Sequence, residues 1–174
     1  MKKRAALFAA AIFAAAGTIT AYGGWNQDGT GYWYQNRDGS YPSSGVVGIE
    51  GKEYLFNDAG YMMTGWQPIG GNWYYFDTAS GAKALGWVCV DGTNYYFDPL
   101  KSGAMQKGWI LLDNSWYYLN ESTGGQVNGW LEQGGKWYYM NPANGGVMQT
   151  GWLDLNGERY YFEGGVMKTG AFSY

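Results

Sequence analysis

The chain has 174 residues, 20% of them aromatic, with 30 Gly, one Cys, no His and a formal charge of −3. That profile suits a glycine-punctuated β protein, and it withholds the residues of common zinc sites and of Ser-His or Cys-His nucleophiles. Cys89, the single thiol, is expected to be a small buried apolar residue.

Lys2, Lys3 and Arg4 precede a twelve-residue apolar run from Ala5 to Ala16, followed by small residues. This is the pattern of a secretory signal peptide, and the run is short for a bilayer span. Residues 1–23 are therefore read as the signal, with cleavage after Ala16, Ala21 or Gly23 each consistent with the sequence, and residues 24–174 as the exported part. The three basic residues leave with the signal, so eight Lys and Arg then face 14 Asp and Glu, a formal charge of −6. Nucleic acid and anionic lipid are poor partners for such a surface, and no membrane span is expected after cleavage.

From Gly24 onward the chain repeats. Gly24-Trp25 leads to Tyr32-Trp33-Tyr34, and a degenerate copy runs from Gly48-Ile49 to Tyr54-Leu55-Phe56. Complete Gly-Trp units then begin at Trp66, Trp87, Trp109, Trp130 and Trp152, spaced 21, 22, 21 and 22 residues apart, and Gly170-Ala171 begins another. Seven residues after each Trp comes an aromatic cluster such as Trp73-Tyr74-Tyr75 or Trp137-Tyr138-Tyr139. Turn formers lie between the two, at Gly70-Gly71, Asp91-Gly92, Asp113-Asn114, Gly134-Gly135 and Asn156-Gly157. Aromatic strands flanking such turns predict β-hairpins, and an isolated hairpin is too marginal to stand unless it stacks on its neighbours.

A four-residue turn over 154–157 would set Trp152 opposite Arg159, and likewise Trp66 opposite Trp73, Trp109 opposite Trp116 and Trp130 opposite Trp137. Strand alternation sends the middle tyrosines, Tyr74, Tyr117 and Tyr138, to the other face, where they are expected to be core. Met63, Met105, Met148 and Met167 are expected to pack beneath the aromatic layer. Paired indoles with a third ring nearby make a slot walled by π faces. Such a slot holds a quaternary ammonium at roughly 0.5–2 kcal/mol per contact. Repetition along one chain multiplies weak affinities by avidity.

The pattern Gly-Trp, Trp-Tyr-Tyr and a closing stretch such as "GGVMQTGW" resembles the choline-binding repeats of Gram-positive cell-wall proteins. The stretch "GTGYWYQNRDGSYP", residues 29–42, is also similar to the start of the wall-binding region of streptococcal autolytic amidases. The resemblance implies an all-β fold, a β-solenoid of stacked hairpin repeats, secreted and held at the cell wall or cell surface. It implies binding to choline or phosphocholine of teichoic and lipoteichoic acids. In such repeats a cage takes the Gly-Trp indole and first cluster Trp of one unit with the third cluster aromatic of the next. Carried over, this gives Trp66, Trp73 and Tyr96; Trp109, Trp116 and Tyr139; and Trp130, Trp137 and Tyr161.

Other intervals depart from that pattern. Asn94 leaves a partial site of Trp87 and Tyr118, Arg159 would repel a cation beside Trp152, and Glu53 and Leu55 spoil the second unit, assistance to a cation by the Glu53 carboxylate being the lesser reading. No catalytic residue, metal or cofactor is expected. The repeats occupy the exported chain, and Asp77, Asp98 and Glu163 read as loop-entry residues rather than an acid and base pair. The alternative ligand is a glucan, since stacked rings also grip sugars. An unidentified protein partner is compatible with either.

Overall fold

At six of the hairpin turns two adjacent residues have positive φ, for example 54° and 85° at Asn156 and Gly157, and 47° and 62° at Asp113 and Asn114. This is the two-residue turn whose twist matches that of antiparallel strands, and Gly, Asn and Asp are the residues that tolerate it. The computed structural model describes residues 23–169, so the expected signal peptide and the unit beginning at Gly170 lie outside the described residues.

Within that range the chain is all-β apart from two short 3-10 turns, Pro99–Lys101 and Pro142–Asn144. It divides into a first unit ending at Ala84 and a second beginning at Leu85. In the first unit Gly24–Gln27 pairs with Tyr32–Gln35, Gly45–Ile49 with Lys52–Phe56, and Gly65–Ile69 with Asn72–Phe76, all antiparallel. In the second, Gly86–Val90 pairs with Thr93–Asp98, Gly108–Leu112 with Ser115–Leu119, Gly129–Gln133 with Lys136–Asn141, and Gly151–Leu155 with Glu158–Glu163. Four hairpins carry a short third strand, Met62–Met63, Ala104–Met105, Val147–Met148 and Val166–Lys168.

The two-residue turns correct the expected register. Trp152 lies opposite Tyr161 and Asp154 opposite Arg159. Likewise Trp66, Trp109 and Trp130 lie opposite Tyr75, Tyr118 and Tyr139, not opposite Trp73, Trp116 and Trp137. A shift of two residues preserves the face, so each Trp pair survives as a diagonal. Among the described hairpins only the first turns through four residues, Asp28 to Gly31. Register also moves the second repeat: Gly45, opposite Phe56, is the counterpart of Gly65, opposite Phe76, so Gly45-Val46 rather than Gly48-Ile49 stands in the Gly-Trp place.

The core is built from a position that the aromatic pattern does not advertise. Phe56, Phe76, Phe97, Leu119, Met140 and Phe162, each just after a cluster, are at most 1% exposed. In each case a glycine of the preceding strand lies opposite. Tyr75, Tyr118 and Tyr139 are buried beside them, whereas the middle tyrosines Tyr74, Tyr117 and Tyr138 are only half-buried, the reverse of the expected core assignment. Cys89 is likewise exposed, not buried. It stands two residues after Trp87, a rim position also taken by the exposed Pro68, Leu111, Glu132 and Asp154.

Candidate functional site

Consecutive hairpins of the second unit meet ring against ring. Trp109 lies 6.2 Å from Trp116 in its own hairpin, at an interplanar angle of 84°. From the following hairpin Tyr138 reaches it at 4.9 Å and 63°. The arrangement recurs one hairpin on, with Trp130, Trp137 at 6.2 Å and Tyr160 at 5.0 Å. Edge-to-face rings of this kind hold one another at fixed angles and leave ring faces open.

Between Trp109, Trp116 and Tyr138 lies a cavity of about 320 Å³, completed by Met148 and Gly164. That falls within the roughly 300–1,000 Å³ of small-molecule sites. Among the described residues no amide or carboxylate side chain lines it. Trp116 is 41% exposed and Trp137 45%, large apolar surface left in water without a local structural need.

The ring supplied by the following hairpin is thus the middle tyrosine, not the third. Tyr139 and Tyr161 stack within their own hairpins on Trp130 and Trp152, at 5.1 and 4.8 Å. Tyr96 does the same with Trp87, at 5.3 Å in the second unit. Trp66 and Trp73 pair in the first unit at 6.4 Å. At the partial site Trp87 meets Tyr117 at 5.2 Å, whereas Tyr118 lies on Trp109. Alternation explains the exchange: the face that carries the middle tyrosine also carries the deepest core residue two positions on, and this face packs on the preceding hairpin.

A cage missed by sequence reasoning lies in the first unit. Trp25 and Tyr32 line a cavity of about 170 Å³ with Met62, Ala79 and Ser80. Tyr54 of the next hairpin stands 4.7 Å from Trp25. The signal was present in Tyr32, which follows Trp25 at the same seven-residue offset as Trp116 follows Trp109. Met62 rather than Met63 is the counterpart of Met148, since Met62 pairs with Phe56 as Met148 pairs with Met140.

The methionine floors depend on glycine. A Cβ on Gly165, where φ is 87°, would run into Sδ and Cε of Met148. Gly165→Ala is therefore expected to push Met148 into the cage and to destabilise the protein by roughly 1–3 kcal/mol, read by urea denaturation.

At the rim of the Trp25 cage, Asp77 accepts hydrogen bonds from the Ser80 hydroxyl and backbone N–H, each at 2.7 Å. These bonds, the hydroxyl's first, hold the Asp77 carboxyl below its ordinary value. A folded value below the unfolded one means the contribution is complete above the ordinary carboxylate range and is lost as pH falls through the folded value. Acidification should therefore loosen this loop, and Asp77→Asn should flatten that acid dependence in thermal melts.

Choline-binding repeat sequences match residues 43–85 and 84–128, and a cell wall binding repeat matches residues 128–148. The chain belongs to the choline-binding repeat family. Among solved structures, choline binding protein F of Streptococcus pneumoniae is 38% identical, with 83% of this chain and 51% of that chain covered and a TM-score of 0.75. CbpJ from Streptococcus pneumoniae TIGR4 is 36% identical over 83% of this chain and 52% of that chain, with a TM-score of 0.74. The Cp-1 phage endolysin solved with choline is 38% identical over 76% of this chain and 38% of that chain, with a TM-score of 0.53. The chain thus spans about half the length of the first two choline-binding relatives. A search of curated proteins finds no match.

Two further features bear on these choline-binding repeats. Among the described residues no group of three or more His, Cys, Asp and Glu side chains gathers as metal ligands, and no helix is long and apolar enough to cross a membrane. The expected loop-entry carboxylates serve the backbone or a nearby lysine: Asp98 caps the 3-10 turn through the Leu100 N–H, and Glu163 pairs with Lys168.

Proposed function

We propose that this chain is a noncatalytic module that attaches to choline of cell-wall teichoic acids. The observation that carries the reading is the cavity formed by Trp109, Trp116, Tyr138 and Met148, an aromatic cage with no hydrogen-bonding side chain of the amide or carboxylate type. A trimethylammonium group donates no hydrogen bond and carries a diffuse positive charge. It is matched by ring faces and a thioether. The same logic assigns the Trp130, Trp137 and Tyr160 set and the Trp25, Tyr32 and Tyr54 set.

Each cage contributes little alone, roughly 0.5–2 kcal/mol per ring contact. Several on one chain, facing a polymer with many cholines, gain on the order of 10²–10⁴ by avidity. The hairpin stack within each unit is read as a stretch of β-solenoid that spaces the cages. Residues 1–23 act as an export signal, and the family relationship supports a place at the cell surface.

The test is a titration followed by tryptophan fluorescence, with ethanolamine and maltose as comparison ligands. Choline should saturate the signal, ethanolamine should bind much more weakly because its ammonium is strongly hydrated, and maltose should leave it unchanged. A maltose response without a choline response would transfer the function to glucan recognition.

A further inference from the structure

Five intervals lying wholly within one unit can be compared at a single strand position, the residue paired with the fully buried core residue. That residue is Met62 opposite Phe56, Lys83 opposite Phe76, Gln126 opposite Leu119, Met148 opposite Met140 and Met167 opposite Phe162. Where it is Met62 or Met148, a cavity opens beside the rings. Gln126 behaves differently, its side chain accepting a hydrogen bond from the Asn94 amide at 2.9 Å.

Lys83 goes further. Its ammonium lies 5.9 Å from the centre of the Tyr74 ring, the middle tyrosine that in the open cages faces the ligand space. It also forms an ion pair with Glu53, which stands at the first cluster position, where Trp116 stands in the open cage. The Lys83 side chain is only 6% exposed, unusual for a lysine, while the Glu53 side chain is 51% exposed. A Lys83 N–H to Glu53 carbonyl bond of 2.8 Å fixes the backbone beneath the pair. Every element of a cation site is present, a π face, a carboxylate and a cation, and the cation belongs to the chain.

We propose that the interval of Val46, Glu53 and Tyr74 is a self-liganded cage, in which Lys83 occupies the place that other intervals leave for an external cation. The residue at this strand position is thereby a specificity determinant: methionine floors an open cage, and lysine fills one. This rests on the cage reading above, but its test is read at a separate site.

The experiment is NMR of the full chain with labelled Val46 methyls and the Trp109 indole N–H observed together, titrated with tetramethylammonium and with choline. In the wild type the Trp109 signal should move and Val46 should not. Lys83→Met should add a saturable Val46 shift, and adding Glu53→Gln should weaken that new binding several-fold. A saturable Val46 shift in the wild type, or none in folded Lys83→Met, would overturn the proposal. If Lys83→Met does not fold, Lys83→Leu, equally apolar and unable to pair with Glu53, is titrated with the same two outcomes. A Val46 response in the variant with a silent Trp109 would leave the self-liganded cage standing and remove the choline reading.

Discussion

Trp116→Ala is expected to weaken choline binding at the Trp109 cage by about 2- to 30-fold, the loss of one cation–π contact of roughly 0.5–2 kcal/mol. The folded chain should tolerate the change, because Trp116 is 41% exposed and its main ring contact is Trp109. Tyr138→Leu should lower affinity at the same cage, while Tyr138→Phe should retain most of it, since the ring face and not the hydroxyl meets the ligand space. Tyr139→Leu provides the contrast: at 8% exposure it belongs to the core, so its cost should appear in stability and its intrinsic choline affinity should stay near wild type. Calorimetric titration of the four variants beside their urea curves separates the two kinds of loss.

Phe76→Ala should cost roughly 3–5 kcal/mol of stability, the usual penalty for removing a fully buried aromatic ring. Phe76 is 0% exposed, sits opposite Gly65 and is bridged to Lys83, so the cavity left behind has little room to collapse. Folded proteins are stable by only about 5–15 kcal/mol, so the first unit would be left near its threshold. Met140→Leu tests the same position in the gentle direction. Leu119 already stands at the equivalent place, and a volume-conserving exchange should cost less than about 1.5 kcal/mol. Chemical denaturation curves for both variants measure the difference.

The hairpins, the repeat period and the sharing of a face by Trp109 and Trp116 were legible because they follow from local spacing and strand alternation. Turn length was not. Asp154-Leu155-Asn156-Gly157 supports a two-residue or a four-residue turn equally well by composition, and positive φ at Asn156 and Gly157 decides for the shorter. Because the two registers differ by an even number, the faces were right and the partners wrong. The choice between Tyr138 and Tyr139 depends on which face packs against the preceding hairpin, a relation between repeats that no period within one repeat encodes. The fully buried Phe76 and Met140 were hidden beside louder aromatic neighbours. Lys83 and Glu53 are 30 residues apart in sequence, so their pairing in the second interval could be read only after the strands were in place. The Glu53 carboxylate pairs with Lys83, a cation of the chain itself rather than a ligand.

The most direct test of the cage is a crystal structure of the chain grown with choline. The account predicts the trimethylammonium group enclosed by the faces of Trp109, Trp116 and Tyr138 above Met148, with the same arrangement at Trp130, Trp137 and Tyr160. Choline seated elsewhere, against Tyr139 or away from the ring sets, would contradict it.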